Sequence, residues 1–87
     1  MKQSVPLSLI RREVRTVLNM RPGFGKTEAQ LLEFSNALIG GGISLQELRD
    51  ALEWNLSERF IRSERDDEAN ETLWFITQSG IAQQNIR

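Results

Sequence analysis

The amino-acid sequence predicts a small α+β domain in which three helices precede a β-hairpin and a short C-terminal segment. Apolar residues recur at helical spacing through the first half of the chain, and two capping boxes mark helix starts there. A later stretch is rich in the aromatic and β-branched residues that are typical of strands. The 87 residues suffice for one small core, so we expect a single domain over residues 1–87.

The first helix is predicted from about Leu7 to Met20, and Pro6 suits its beginning. Its apolar residues follow a helical period: Leu7, Ile10, Val14, Val17 and Leu18. Arg11, Arg12 and Arg15 lie off this apolar stripe. We therefore expect their charges to face solvent together.

The stretch MRPGFGKTEAQ, which precedes the second helix, contains half of the phosphate-binding signature G-x-x-x-x-G-K-[ST]. That signature needs a glycine where Met20 stands, and a helix rather than a buried strand precedes it. A capping box is the better interpretation, with Thr27 accepting from the N–H of Gln30 and Gln30 reaching back. The second helix then ends at the glycines of residues 40–42. We expect it to turn Leu31, Phe34 and Leu38 inward, with Leu32 and Ile39 at the edges.

The third helix begins with a second capping box, formed by Ser44 and Glu47. Its predicted core residues are Leu45, Leu48, Ala51, Leu52 and Leu56. Its predicted outer face carries Gln46, Arg49, Asp50, Glu53 and Ser57. The helix therefore exposes a polar side of mixed charge.

Two strand-like stretches follow, RFIRSER and ETLWFITQ, separated by the polar tip DDEAN. We expect Trp74 and Ile76 to face the helices, and SGIAQQNIR to form a short helix or to fray. A third strand is predicted only at residues 42–44, because RPGFGK is a poor strand sequence.

Composition argues against several classes of function. Without Cys or His, the chain lacks the usual general base and the commonest transition-metal ligands. The acidic tip at residues 66–68 does not have the spacing of a calcium loop. We therefore expect no enzymatic activity, no metal and no cofactor. The N-terminus is not a signal peptide and no apolar run approaches the roughly 18 residues that span a membrane, so a cytoplasmic protein without a membrane partner is expected.

Three helices followed by a hairpin is the order of the winged helix (winged helix-turn-helix) superfamily. The segment LQELRDALEWNLSERFIRSERDDEANETLWFITQSGIA resembles the ending of that fold. There a helix runs into an apolar strand start, here Phe60 and Ile61, followed by a polar wing tip. The second strand closes on Trp74, Ile76, Thr77 and Gly80. The resemblance implies DNA binding, with the third helix in the major groove and the wing on the backbone or in the minor groove.

Charge is distributed unevenly along the chain. Residues 1–26 hold six basic residues and one acidic residue, whereas residues 27–87 hold five basic and eleven acidic ones. The third helix and the wing tip are both net acidic, which opposes contact with phosphates. The candidate contacts to nucleic acid or to an acidic partner are therefore Arg11, Arg12 and Arg15, with Arg49, Arg62 and Arg65 as secondary contacts.

The sequence leaves two kinds of partner open. The first interpretation is a small transcriptional regulator that binds duplex DNA. The second is a protein–protein interaction adaptor that uses either the acidic third helix and wing or the basic first helix. Trp54 is a candidate anchor for such a contact, but partial burial beside the hairpin is the preferred interpretation of this residue. The uneven charge is also compatible with a homodimer.

Overall fold

The computed structural model of the protein describes residues 5–86 as four helices and a two-stranded antiparallel hairpin. The elements are α1 (Leu7–Asn19), α2 (Glu28–Ile39), α3 (Leu45–Ser57), β1 (Ile61–Asp66), β2 (Glu71–Ile76) and α4 (Gln78–Gln84). The N-terminal segment 1–4, with its basic Lys2, and Arg87 lie outside the described residues. The predicted α+β order is confirmed, and the C-terminal segment is a helix.

Helix α1 lies at the centre of the core. Ile10, Val14, Val17 and Leu18 are each at most 1% exposed, as their spacing predicts. Leu7 is exposed because it lies in the first turn, beyond the packed face. The other elements supply the rest of the core around α1. Its buried residues are Leu31 of α2, Ile43 before α3, Leu48, Ala51 and Leu52 of α3, Ile61 of β1 and Ile76 of β2, and Ile81 of α4 packs against them.

Helix α2 begins at the predicted capping box. Thr27 Oγ1 accepts from the Gln30 amide at 3.2 Å, and Gln30 Oε1 accepts from the Thr27 amide at 2.9 Å. The predicted inward face is wrong in part, since Phe34 and Leu38 are 44% and 47% exposed. Ser35 is fully buried instead. Because the buried position one turn after Leu31 is a serine, the spacing of large apolar residues does not indicate which face of α2 is buried.

Three glycines and one asparagine shape the turn between α2 and α3. Gly40, Gly41 and Gly42 all have φ near +96°, the left-handed region that glycine adopts without steric cost. The Asn36 side chain then clamps the turn, because its Oδ1 accepts from the Ile43 amide at 2.8 Å and its Nδ2 donates to the Ile43 carbonyl at 3.2 Å. This clamp fixes where α3 begins relative to α2.

Helix α3 has the predicted capping box, with Ser44 Oγ accepting from the Glu47 amide at 3.1 Å and Glu47 Oε1 accepting from the Ser44 amide at 2.9 Å. Its predicted core face is correct for Leu48, Ala51 and Leu52 and wrong for Leu45 and Leu56, which are 40% and 41% exposed. Asn55 is buried in the place expected for Leu56. The reason is a polar contact with α1, described below.

The C-terminus of α3 is a Schellman motif without glycine. The Phe60 amide donates to the Asn55 carbonyl at 2.9 Å and the Arg59 amide donates to the Leu56 carbonyl at 3.0 Å. Arg59 has φ +64°, which is uncommon for a residue with a side chain. The motif reverses the chain, so β1 starts in contact with α3.

The hairpin pairs Ile61 with Ile76 and Ser63 with Trp74, so both β2 residues lie on one face as predicted. Ile76 is buried and Trp74 is half-buried. The prediction of a third strand at residues 42–44 is wrong. Lys26 supplies the extra pairing, since its amide donates to the Trp74 carbonyl at 3.0 Å and its carbonyl accepts from the Trp74 amide at 2.8 Å. Gly25 allows this approach, because a Cβ there would lie 2.5 Å from the Phe75 ring.

Helix α4 is capped by Thr77, whose Oγ1 accepts from the Gly80 amide at 3.0 Å and donates to the Arg59 carbonyl at 2.7 Å. The helix packs against α1 and against the start of the hairpin. Within the described residues, no helix is both long enough and apolar enough to cross a membrane.

Candidate nucleic-acid interface

The solvent-facing side of α3 is mostly polar. Its exposed polar residues are Gln46, Arg49, Asp50, Glu53 and Ser57, as predicted, and Leu45 and Leu56 are also exposed. They face outward because Leu48, Ala51, Leu52 and Asn55 fill the opposite side of the helix. Gln46 donates to Asp50 Oδ1 at 2.9 Å. This side therefore presents hydrogen-bond donors and acceptors of the types that contact base edges in a major groove.

Arg49 is held at the edge of this surface by Glu28 of α2. The guanidinium donates from Nε and Nη2 to the two carboxylate oxygens at 2.9 and 3.1 Å. The hydrogen bond with Glu28 and the carboxylate charge raise the pKa of Arg49 above its ordinary value. Both side chains are substantially exposed, and exposed ion pairs contribute little to stability. Arg49 can therefore exchange Glu28 for another anion at little cost.

The two wing arginines also pair with nearby acceptors. Arg62 Nη1 lies 2.8 Å from Glu64 Oε1, and its guanidinium stacks 4.3 Å above the Phe75 ring. Arg65 Nε lies 3.8 Å from Asp67 Oδ1, and Arg65 Nη2 contacts Asn70 Oδ1. Both arginines remain more than half exposed. Their guanidinium groups are accessible, but each is partly neutralised.

Arg15 does not face solvent, which corrects the expectation that three α1 arginines form one basic surface. Its side chain is only 8% exposed because α4 packs over this edge of α1. Nη1 donates to Asn55 Oδ1 at 2.9 Å and Nε donates to Gln84 Oε1 at 2.8 Å. Burial, and secondarily the charge of Arg12, lower the pKa of Arg15. Arg15 therefore connects α1, α3 and α4.

The remaining basic surface of α1 consists of Arg11 and Arg12. Arg12 is exposed, whereas Arg11 is half-buried with its guanidinium 4.7 Å from the Trp54 ring centroid. Trp54 in turn packs 5.9 Å from Phe60. Because one face of Trp54 is covered by Arg11, this tryptophan is a half-buried structural residue that places Arg11 beside α3.

Two cations outside the predicted set lie on the loop between α1 and α2. Arg21 stacks 4.2 Å from the Phe24 ring, and Lys26 Nζ lies 5.0 Å from the Phe34 ring. Nothing in the sequence of this loop distinguishes Arg21 and Phe24 from ordinary surface residues. Within residues 5–86, no group of three or more acidic side chains is placed to hold a metal ion.

Similarity to solved structures was found at low sequence identity. A transcriptional regulator of the MarR family from Silicibacter pomeroyi aligns over 91% of this chain and 49% of its own, with a TM-score of 0.74 at 18% identity. ZitR from Lactococcus lactis, in a cysteine-to-serine mutant form, aligns over 97% of this chain and 52% of its own, with a TM-score of 0.71 at 20% identity. The chain thus spans about half the length of these two proteins.

A third structure, SSV1 F-93, is similar in size as well as in fold. It aligns over 94% of this chain and 89% of its own, with a TM-score of 0.64 at 17% identity. No protein-family model and no curated protein sequence gives a significant match. These likenesses establish the winged-helix fold that the sequence resemblance implied.

Proposed function

We propose that this winged-helix domain is a non-enzymatic DNA-binding module of a transcriptional regulator. The observation that carries the proposal is the mostly polar, solvent-facing side of α3, with the hairpin extending beside it. In winged helices the third helix commonly enters the major groove while the wing contacts the backbone. The similarity to a MarR-family transcriptional regulator supports this function.

In this arrangement the N-terminal half of α3 reads the bases. Gln46 and Arg49 suit adenine and guanine, because each side chain can form two hydrogen bonds to the major-groove edge of that base. Asp50 can accept from the cytosine amino group. Carboxylates on this face repel phosphates but can be satisfied by base amino groups, so the acidic composition favours selective over non-specific binding.

The phosphate contacts come from arginines on both sides of α3. We assign Arg62 and Arg65 of the wing to one side and Arg11 and Arg12 of α1 to the other, where Arg11 lies against Trp54 of α3. Arg15 has a different role, because its buried side chain hydrogen-bonds Asn55 and so positions α3. Arg49 joins these DNA contacts when its guanidinium leaves the Glu28 carboxylate and binds a base or a phosphate instead.

Fluorescence anisotropy with labelled duplex DNA tests the proposal. A random-sequence pool is first selected on the protein, and the enriched duplex is then titrated at several salt concentrations. Replacing Arg62 or Arg65 with Ala should lower the slope of log affinity against log salt by about one unit for each lost phosphate contact. Arg49→Ala should instead relax the preference for one base pair.

Arg21→Ala is the matched control, because it removes an exposed arginine outside the proposed contact set. It should leave both affinity and slope unchanged. Failure to enrich any duplex at low salt would contradict the DNA-binding proposal, and equal binding by the Arg62 and Arg65 variants and the parent would contradict the contacts assigned to the wing. The same arginine variants would then be used in binding assays with protein partners, as the adaptor interpretation requires.

A further inference from the structure

Large apolar side chains are exposed along the outer side of α2 and on the loop that precedes it. Phe24 is 58% exposed, and Phe34 and Leu38 of α2 are 44% and 47% exposed. Phe34 and Leu38 are four residues apart, which places them one above the other on the same side of the helix. Single exposed apolar residues are ordinary on protein surfaces, whereas a contiguous group is typical of an interaction site.

The loop brings Phe24 and Lys26 to the same side of the molecule as Phe34. Lys26 Nζ lies 5.0 Å from the centre of the Phe34 ring, so the loop and α2 are in contact there. Gly25 faces the Phe75 ring, and side chains alternate in direction along extended, strand-paired backbone such as this segment. Phe24 therefore points to the same side as Lys26. We define the α2 patch as the apolar residues Phe24, Phe34 and Leu38 together with the cations Arg21 and Lys26.

Neither cation of the α2 patch forms an ion pair within residues 5–86. Arg21 stacks 4.2 Å from the Phe24 ring, and Lys26 lies over the Phe34 ring. The ion pairs in that part of the chain involve arginines of α3 and of the wing instead. The charges of Arg21 and Lys26 are therefore available to an acidic group of another molecule, directly beside exposed aromatic rings.

The composition of the α2 patch favours a peptide over a nucleic acid. Leu38 offers no ring on which a base could stack, and the exposed carboxylate of Glu33, next to Phe34 in the chain, opposes a phosphate backbone. The two cations precede the N-terminus of α2, whereas Leu38 lies near its C-terminus. The patch is thus basic at one end and apolar at the other, which matches a peptide with its acidic residues at one end.

We infer that the α2 patch binds an amphipathic helical segment of a partner protein, with acidic residues at one end of an apolar stripe. The apolar residues of that segment pack on Phe34 and Leu38, as a helix does when it lies on a hydrophobic surface. Its carboxylates pair with Arg21 and Lys26, beside Phe24. Burial of the aromatic rings supplies affinity, and the two cations select for acidic sequences. None of these residues belongs to the proposed DNA contacts, so the inference does not depend on DNA binding.

Selection from a phage-displayed library of random peptides on the full chain tests this inference. Peptides of about 15 residues are used, because they form about four helical turns. Peptides that bind the Phe34→Ala, Leu38→Ala double variant are removed first, and the rest are selected on the parent protein at physiological ionic strength. The enriched peptides should combine acidic residues with large apolar residues spaced three or four positions apart. Two-dimensional NMR with the best peptide should then show saturable shifts centred on residues 21–38.

Two single variants measure the apolar and the charged parts of the contact separately. Phe34→Ala should weaken binding of the best peptide by about ten-fold or more, the loss expected for a central aromatic contact. Lys26→Gln should weaken it by about three-fold, the size expected for one exposed charge pair. Leu56→Ala on α3 and Arg62→Gln on the wing are the matched controls, because each removes an exposed side chain of the same kind outside the patch. Both controls should bind the peptide like the parent.

Three results would overturn the inference: no enrichment over uncoated resin, enriched peptides without acidic residues, or parental affinity for the best peptide in either single variant. Circular dichroism checks that the variants fold. Lys26→Gln keeps the test decisive if Phe34→Ala does not fold, because the pairing of Lys26 with β2 involves only its backbone.

Oligo(dT), titrated at the same ionic strength, distinguishes a peptide site from a site for single-stranded nucleic acid. Binding of oligo(dT) that is lost in Phe34→Ala would assign the α2 patch to single strands and would contradict the inference. Duplex binding in the anisotropy assay should be the same in Phe34→Ala and the parent, so failure of the peptide site and failure of the DNA-binding proposal give different results.

Discussion

At the scale of single residues, Arg15 and Asn55 form a polar centre inside a mostly apolar core. Asn55 Oδ1 accepts from Arg15, while its Nδ2 donates to the carbonyls of Arg11 and Ala51 at 3.1 and 2.9 Å. Gln84 extends the network, accepting from Arg15 and donating to Thr16 Oγ1 at 3.0 Å. Every polar atom of the Asn55 side chain is satisfied, so the network fixes the relative positions of α1 and α3.

Gly80 is required by close packing rather than by backbone conformation. A Cβ at this position would lie 2.1 Å from the Phe60 carbonyl oxygen and 2.7 Å from Ile76 Cγ1. Gly80→Ala should therefore lower the free energy of unfolding by about 2–3 kcal/mol, as overpacking against backbone does. Gly23→Ala is the control, since its Cβ would meet nothing within 4 Å. Equal melting temperatures for the two variants in thermal denaturation would refute the packing argument.

Ser35 is buried with a hydroxyl that has no partner among the described residues. Because an unpaired buried hydroxyl is costly and alanine is the better helix former, Ser35→Ala should raise the free energy of unfolding by about 1 kcal/mol. Urea denaturation measures the change. The exposed Ser57→Ala variant should not be stabilised, because it loses the hydrogen bond that Ser57 Oγ donates to the Trp54 carbonyl at 2.8 Å. A destabilised Ser35→Ala variant would show that the Ser35 hydroxyl is paired in solution.

At the scale of elements, the two capping boxes determine where α2 and α3 begin. Each side-chain oxygen satisfies an amide that the helix itself leaves unpaired. Thr27→Ala and Ser44→Ala should each lower the free energy of unfolding by about 1 kcal/mol. The two losses should add in the double variant, because the caps belong to different helices and share no partner. Hydrogen exchange should show the loss of protection confined to the first turn of the affected helix.

The control for the caps is Gln46→Ala, which changes an exposed α3 residue that does not cap the helix. Its stability should stay within about 0.5 kcal/mol of the parent. A similar loss in Gln46→Ala and Ser44→Ala would mean that general helix propensity, and not capping, explains the effect.

The Lys26–Trp74 pairing gives the hairpin a third, single-residue strand. It joins the segment before α2 to β2 through two backbone hydrogen bonds. The same segment resembles a nucleotide-binding loop in sequence, but its lysine lies over Phe34 and its threonine caps α2. Both side chains therefore have structural contacts that account for their presence.

At the scale of the whole molecule, the acidic wing tip opposes the proposed phosphate contacts. Asp67 is almost fully exposed, its side chain 95% accessible, and Asp66 and Glu68 flank it. Replacing Asp67 and Glu68 with Asn and Gln should raise affinity for the selected duplex several-fold at low salt, because two repulsive charges near the backbone are removed.

The matched control for the wing tip is Glu33→Gln combined with Glu13→Gln, which removes two acids from the helices and makes the same change in net charge. If the position of the removed charges matters, the control variant should bind the duplex with the same affinity as the parent. Equal enhancement by both pairs, measured by anisotropy, would show that only net charge matters and that the wing does not approach the DNA.

The sequence by itself determined the order of elements, the capping boxes, the glycine turn, the hairpin and the burial of most α1 and α3 apolar residues. These features depend on residues close together in the sequence, because helix caps, turns and the alternation of side chains along a strand are each determined by a few consecutive residues. Several properties of the candidate site also follow from local pattern, including the outward face of α3 with Arg49.

Only the tertiary structure decided which polar residues are buried and which cations remain accessible. Arg15 lies next to the apolar stripe of α1 and looks solvent-exposed until α4, whose Gln84 is 69 residues further along the chain, covers it. Ser35, Asn55 and the Lys26–Trp74 pairing are similar cases. Burial of a polar residue depends on partners from distant segments that satisfy its hydrogen bonds or pack over it, and neither spacing nor composition along one helix contains that information.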